Sequence, residues 1–157
     1  MEMSDYQGIS GFTKGFREAL EGLEGKAVFA GSVGVCTPFI ELLAYSVRAQ
    51  FQEMFYLPTG DPSRAKRMVQ VDGVGFQVSE GTGDPGDPDA VVLLGGLAMP
   101  KFGSPVEDIQ RMIEDLGGRP RIIGVGFNQV FSRTGWTDRI AFDVLMDTSL
   151  STSMLSP

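Results

Sequence analysis

The fold is decided by residues 26–57, KAVFAGSVGVCTPFIELLAYSVRAQFQEMFYL. Residues 26–31 are a short apolar run that ends in glycine and predicts a strand, and residues 51–57 predict a second strand. Between them, residues 38–49 predict a helix with Thr37 as its cap. Because the connections are short, this strand–helix–strand stretch is a βαβ unit, and we expect the two strands to be parallel.

The alternation of strands and helices continues on both sides of this unit. Residues 11–24 place apolar side chains at helical spacing, with Ser10 as the expected cap. Asp72-Gly73 separates two short apolar segments and predicts the turn of a β-hairpin. The remaining predicted elements are a strand at 90–94, a helix from a capping box at Ser104 to residue 116, a strand at 121–127, a short helix at 128–134 and a strand at 139–146.

This pattern predicts a three-layer α/β fold with a doubly wound, Rossmann-like sheet. We expect about five mainly parallel strands in the flavodoxin-like order 2-1-3-4-5, with the hairpin added at one edge. A chain of 157 residues is long enough to bury a sizeable core as one domain. Residues 1–157 are therefore expected to form a single domain, with an N-terminal arm at 1–9 and a weakly ordered tail at 148–157.

Composition excludes several classes of function. The chain has 20 acidic and 13 basic residues, and its net charge of −7 disfavours nucleic-acid binding. With no histidine and one cysteine, it cannot build a Ser–His–Asp or Cys–His site, a His-ligated zinc site or an intrachain disulfide. No apolar run approaches the roughly 18–20 residues that span a bilayer, and the N-terminus lacks a signal-peptide pattern. We therefore expect a cytoplasmic protein without membrane contact.

The expected ligand site lies at the carboxyl edge of the sheet. In strand order 2-1-3-4-5, the topological switch point falls between the first and third strands, where loops 31–38 and 95–101 emerge. The first loop leads into a helix N-terminus, which attracts anions. We expect a small anionic ligand there, such as a nucleotide or a phosphorylated metabolite; a tight turn without a ligand is the alternative. The candidate ligand-binding residues are Gly31, Ser32, Gly34, Thr37, Gly95, Gly96, Lys101 and Asn128.

An enzyme that uses Cys36 is the alternative function. A cysteine just ahead of a helix is in a position that favours its thiolate, and Glu41 follows one turn along the helix as a candidate proton acceptor. No histidine is available as the usual base. The simpler interpretations are a small buried side chain for Cys36 and a dipole-stabilising carboxylate for Glu41.

No metal site or particular cofactor is indicated. The loop with Asp84, Asp87 and Asp89 lacks the spacing of a calcium-binding EF-hand loop, and its prolines favour turns. The helix at 38–49 is apolar almost all round, so it is either buried on two sides or part of a subunit interface. A structural or regulatory homodimer formed through this helix is the third hypothesis.

Three stretches together resemble a small uncharacterised family of archaeal proteins, found mainly in methanogens. They are Gly34-Val-Cys-Thr-Pro-Phe39, Leu93-Leu-Gly-Gly-Leu-Ala-Met-Pro-Lys101, and Gly135-Trp136 followed by Ile140-Ala-Phe-Asp143. The resemblance spans residues 10–147. It implies a Rossmann-like α/β domain in an archaeal cytoplasm and leaves the activity open.

Overall fold

The computed structural model describes residues 3–157, which form an open seven-stranded sheet with helices on both faces. The strands are β1 (Gly25–Gly31), β2 (Phe51–Pro58), β3 (Lys66–Val71), β4 (Gly75–Val78), β5 (Ala90–Leu94), β6 (Arg121–Phe127) and β7 (Val144–Thr148). The helices are α1 (Gly8–Ala19), α2 (Thr37–Ser46), α3 (Val106–Leu116) and the single turn α4 (Val130–Arg133).

The strand order is β4-β3-β2-β1-β5-β6-β7. The pairs β2-β1, β1-β5, β5-β6 and β6-β7 are parallel, so the five strands expected in a doubly wound sheet follow the predicted order 2-1-3-4-5. The hairpin β3-β4 pairs antiparallel with β2 and extends that edge, as predicted. The Rossmann-like fold class is therefore confirmed.

The hydrophobic core has two parts, one on each face of the sheet. Successive side chains of a strand point to opposite faces, so in β1 Phe29 packs with α1 and α2, whereas Val28 packs with α3. Phe16 of α1 and Ile109 of α3 are fully buried on these opposite faces. The apolar run of β1 is thus covered on both sides, which explains why it shows no alternation with polar residues.

Helix α2 is covered by its own chain on three sides. The sheet lies beneath it, Phe39 meets Phe12 of α1 with ring centroids 6.5 Å apart, and the Glu41 carboxylate accepts a hydrogen bond from the Val78 N–H of β4 at 3.0 Å. Leu42 is one of the few side chains that α2 leaves exposed. Burial within one chain therefore accounts for the apolar composition of this helix without a partner subunit.

The predicted helix starts are wrong in detail. Helix α1 begins at Gly8, within the expected arm, and Gln7 rather than Ser10 is its N-cap; residues 1–2 of that arm lie outside the described chain. Helix α2 starts at Thr37 itself, and the Thr37 hydroxyl accepts from the Gly34 N–H at 3.2 Å. The Ser104 hydroxyl donates to the Thr59 carbonyl at 2.9 Å instead of capping α3. The hydroxyl groups of Thr37 and Ser104 therefore bond to loop residues outside the helices that they were expected to cap.

The last strand also starts later than residue 139. Residues 136–138 form a 3-10 turn, and β7 begins only at Val144. Ile140 and Phe142 instead pack against the α3 face of the sheet, where Phe142 lies 5.1 Å from Phe131 between ring centroids. Asp143 is the last residue of this irregular segment, and its carboxylate accepts from the Ile122 N–H at 2.7 Å.

Candidate functional site

The carboxyl ends of β1 and β5 lie side by side, and the two loops that follow them are in contact. Ala30 of β1 pairs with Leu93 of β5. Just beyond, the buried Ser32 hydroxyl donates to the Phe102 carbonyl at 2.7 Å. The structure therefore brings together the two loops that the sequence analysis selected, 31–38 and 95–101.

At three of the four candidate glycines, other atoms of the protein occupy the space that a side chain would take. A Cβ at Gly31 would lie 2.6 Å from the Cys36 Cβ, one at Gly95 would lie 2.7 Å from the Val130 Cγ1, and one at Gly96 would lie 2.4 Å from the Cys36 sulfur. At Gly34, by contrast, a Cβ would meet nothing within 4 Å. Gly34 has φ +82°, a conformation that favours glycine. Gly34 alone of these four has open space where a side chain would lie, although its N–H already donates to the Thr37 hydroxyl.

Cys36 is part of the core. Its side chain is 3% exposed and lies against Gly31 and Gly96. Burial raises the pKa of the thiol, and hydrogen bonds from Ser32 and Gly96 only partly oppose that effect. The environment therefore favours the protonated thiol, in agreement with the interpretation of Cys36 as a small buried side chain.

Glu41 does not face an open site. Its carboxylate accepts the hydrogen bond from the Val78 N–H and so ties α2 to the hairpin. A buried or partly buried N–H needs an acceptor, and this contact gives Glu41 a structural role at the sheet edge.

The first turn of α2 carries unpaired backbone amides. The first helical bond is donated by the Ile40 N–H to the Cys36 carbonyl at 3.0 Å. Pro38 has no N–H, and the Thr37 and Phe39 amides have no acceptor among residues 3–157. Two N–H groups at the positive end of a helix therefore remain available to an anion.

Tyr56 and Arg64 also belong to this region, although the sequence analysis did not select them as site residues. The buried Tyr56 hydroxyl, at the end of β2, donates to the Gly31 carbonyl at 3.4 Å. Burial raises the pKa of Tyr56, while the Thr37 hydroxyl and the Arg64 charge act in the opposite direction. Arg64 therefore lies within electrostatic range of the Tyr56 hydroxyl. The sequence did contain one indication of this role, because Tyr56 lies near the carboxyl end of the strand next to the predicted switch point.

Lys101 and Asn128 have different surroundings. Lys101 is exposed and lies in the loop 95–101, next to Phe102, whose carbonyl contacts Ser32. Asn128 follows β6, which is two strands away from β1, and its side-chain oxygen accepts from the Leu150 N–H at 3.0 Å. Lys101 thus belongs to one of the two paired loops, whereas Asn128 holds the start of the C-terminal segment.

The aspartate-rich loop is organised around a lysine. The Lys26 ammonium group donates to the carbonyls of Asp84 and Gly86 at 2.8 and 2.7 Å. The Asp89 carboxylate accepts from the Lys26 N–H at 2.9 Å. These contacts support the interpretation of the loop as a series of turns. In the described part of the chain, no group of three or more acidic or cysteine side chains is arranged to hold a metal ion.

A cavity of about 330 Å³ lies on the α3 side of the carboxyl edge. Its lining includes Asp61, Asp108 and Asp115 with Arg111 as a cation, and Arg111 pairs with Asp108 at 3.3 Å. The excess of carboxylates makes this cavity unfavourable for the anionic ligand expected at the switch point. Within residues 3–157, no helix combines the length and apolar character needed to cross a membrane.

The fold and the paired loops define a doubly wound α/β protein with its candidate site at the topological switch point. Residues 7–151 match the family described as an uncharacterized protein conserved in archaea, DUF2124. The chain belongs to this family, so the archaeal resemblance seen in the sequence is confirmed.

Relatives come from methanogens. An uncharacterized protein of Methanocaldococcus jannaschii, MJ1183, is 42% identical over 129 residues, which cover 82% of this chain and 77% of that protein. An uncharacterized protein of Methanothermobacter thermautotrophicus is 35% identical over 152 residues, covering 95% and 94% of the two chains. A crystal structure of a protein of unknown function from M. thermautotrophicus has a TM-score of 0.89 at 33% identity, and the match covers 100% of this chain and 98% of that one.

Proposed function

We propose that the protein binds a small anionic molecule, a nucleotide or a phosphorylated metabolite, at the N-terminus of α2. The observation that carries the proposal is that the Thr37 and Phe39 amides have no acceptor, next to Gly34, which has open space where a side chain would lie. Helix N-termini bind phosphate groups because unpaired N–H groups and the helix dipole act together. The position also matches the switch point, where open α/β sheets bind their ligands.

We expect two cations to add affinity. Arg64 acts electrostatically on Tyr56, and Lys101 is an exposed residue of the loop 95–101. Neither side chain forms an ion pair among residues 3–157, whereas the neighbouring Lys66 and Arg67 pair with Glu80 and Glu53. Arg64 and Lys101 therefore remain available to a ligand on a chain whose net charge is −7.

The cysteine-dependent enzyme receives no support from the surroundings of Cys36. A nucleophilic thiol needs exposure and a lowered pKa, whereas Cys36 is buried and burial raises its pKa. Its sulfur instead fills the space above Gly96. We therefore propose binding rather than thiol chemistry at this edge.

Isothermal titration with inorganic phosphate, ATP and a sugar phosphate tests the proposal. We expect at least one of these anions to bind with millimolar or tighter affinity. The variant R64A/K101A should weaken that binding about 100-fold or more, because each of the two lost cations removes a charge-assisted contact of about 1.5–3 kcal/mol.

The matched control is R119A, which removes an exposed positive charge just ahead of β6, at the opposite edge of the sheet. It should leave the affinity unchanged. The absence of binding by all three anions, or equal weakening by R119A and R64A/K101A, would contradict a site at the start of α2.

A further inference from the structure

Residues 149–157, SLSTSMLSP, form an arm that makes little contact with the rest of the chain. The arm has no regular secondary structure, and its anchor is the hydrogen bond from the Leu150 N–H to Asn128. Met154 is 90% exposed and Leu155 is fully exposed. Solvent exposure of such large apolar side chains is unfavourable by about 1.5–3 kcal/mol for each residue relative to burial.

A second group of exposed apolar side chains lies on the loops of the candidate site. Val33 and Val35 precede α2, and Met99 and Phe102 follow β5; we call these four residues the apolar rim. Val33 is 62% exposed and Phe102 is 49% exposed. The two loops contact each other through Ser32 and Phe102, so the four residues belong to one region of the surface.

The arm and the apolar rim lie at the same edge of the sheet. Strand β7 runs parallel to β6, β5 and β1, so the arm leaves β7 at the carboxyl edge from which the rim loops also emerge. Three strand spacings, about 14 Å in total, separate β7 from β1. Yet Met154 and Leu155 are exposed and leave the rim of their own chain uncovered.

Charge favours contact between these two surfaces over contact elsewhere. Two copies that each carry a net charge of −7 repel one another. The arm contains no charged residue, and residues 31–37 and 95–102 contain only the positive Lys101. The arm and the rim loops therefore carry a single charge between them, and it is positive, on an otherwise acidic molecule.

We propose that the protein forms a two-fold homodimer in which the arm of each copy covers the apolar rim of the other. Met154 and Leu155 then bury their side chains against Val33, Val35, Met99 and Phe102 of the second copy. A two-fold arrangement makes the exchange reciprocal, so both arms and both rims are covered without leaving a free surface. The arm of the partner thereby becomes a wall of the site at the start of α2.

Sedimentation velocity between about 1 and 200 μM tests the exchange. The unmodified chain should sediment as a dimer in the upper part of this range. M154S/L155S should weaken dimerisation at least about 100-fold, because two apolar side chains in each of the two arms would no longer be buried. Its melting temperature at a concentration where both proteins are monomeric should stay the same, because both side chains are exposed within one chain.

The matched control is V74S, which removes an apolar side chain of 62% exposure at the hairpin, away from the rim. It should remain dimeric. A monomeric unmodified chain at the highest concentration, or dimerisation that M154S/L155S leaves intact, would overturn the proposal.

Disulfide trapping identifies the copy that supplies the arm. A chain with V33C and a mass-tagged chain with L155C are mixed and mildly oxidised; the buried Cys36 stays in both. We expect a covalent heterodimer, and a much lower yield when V74C replaces V33C. If the double variant V33C/L155C instead forms only an intrachain disulfide, the arm closes over its own rim and the exchange is wrong.

Discussion

Gly96 is a residue at which the protein's own atoms, rather than a ligand, exclude a side chain. A methyl group there would lie 2.4 Å from the Cys36 sulfur and 3.0 Å from the Ser32 hydroxyl oxygen. Gly31 contacts the same cysteine from the β1 side. The glycines that flank the switch point therefore allow two loops to pack around one sulfur atom.

The variant G96A should lower the free energy of unfolding by about 1–3 kcal/mol, the usual effect of overpacking a filled core. Urea unfolding measures this change. In the C36A background, which removes the sulfur, the same substitution should have a smaller effect, and the difference between the two values gives the coupling energy. Equal effects in both backgrounds would contradict the proposed contact between positions 36 and 96.

Cys36 should make stability decrease at alkaline pH. Burial raises the thiol pKa in the folded state, so between the unfolded value of about 8.5 and the folded value the folded chain binds more protons. This contribution is complete below the unfolded pKa and is lost as the pH rises through the folded pKa. C36A should abolish it, so the stability difference between the unmodified chain and C36A should shrink from pH 7 to pH 9.5 in urea titrations.

Tyr6 and Tyr56, whose pKa values are also raised, are present in both proteins and largely cancel in that difference. A stability difference that stays constant across this pH range would show that the thiol titrates normally and is not buried.

The chemistry of a residue type predicts the role of some of these positions but not of others. A buried role for Cys36 follows from the general preference of free cysteine for protein interiors. The hydrogen bonds of the two expected capping residues could not be predicted. The Thr37 hydroxyl bonds to Gly34 and the Ser104 hydroxyl to Thr59, and both partners lie outside the helices. A hydroxyl group satisfies whichever backbone group the fold places nearest, and the local sequence does not contain that information.

Helix α2 and the hairpin are joined at the element scale by Glu41. The Glu41 carboxylate accepts the Val78 N–H, which lies on the end strand β4. A hairpin of two short strands is marginally stable by itself, so a contact of this kind holds it to the domain.

E41A should lower the free energy of unfolding by about 1–3 kcal/mol, because it leaves the Val78 N–H without its acceptor. E41Q keeps a carbonyl oxygen in place and should have a much smaller effect. Hydrogen exchange at residues 75–78 should become faster in E41A and remain slow in E41Q. If both variants exchange alike, Glu41 does not hold the hairpin.

The loop at 81–89 should depend on Lys26 in a similar way. K26M removes the ammonium group that binds the carbonyls of Asp84 and Gly86 while it keeps much of the apolar side chain. We expect limited proteolysis within this loop to become faster in K26M. K14M, in which an exposed lysine of α1 is changed, is the control and should be cleaved at the original rate.

Element types were easier to predict than element boundaries. The apolar runs at β1 and β5 are buried on both faces, and such runs are visible in the sequence. The alternation of Ile140, Phe142 and Val144 also fits a strand, yet the first two residues pack from an irregular segment. Alternation indicates which side chains are buried, but it does not fix the backbone that carries them.

The whole molecule is a sheet with a separate layer of core on each face. Phe16 is fully buried on the α1 and α2 face, whereas Trp136, the single tryptophan, is buried on the other face beside Phe131. The two layers share the central strands, so we expect the domain to unfold as one cooperative unit.

F16A tests that cooperativity. It should lower the free energy of unfolding by about 3–5 kcal/mol, the usual range for removing a buried phenyl ring. Trp136 fluorescence reports the opposite face and should show the same shift in the urea midpoint as far-UV circular dichroism. A shift in circular dichroism without the same shift in fluorescence would mean that the two faces unfold separately.

At this scale, the strand order and the position of the switch point could be predicted from sequence, because short βαβ connections allow few topologies. The contact of Tyr56 with the Gly31 carbonyl could not, because it forms only when β2 lies beside β1. Proximity between distant segments is a result of folding, and the spacing of residues along the chain does not reveal it.

The two ends of the sheet differ in a way that limits how copies can associate. A sheet with two open edges can recruit a new strand on each side, and such growth propagates into a filament. Here one end strand, β4, has only four residues, and its Val78 N–H already has the Glu41 carboxylate as its acceptor. Strand addition is therefore easier at the other end strand, β7, which has five residues.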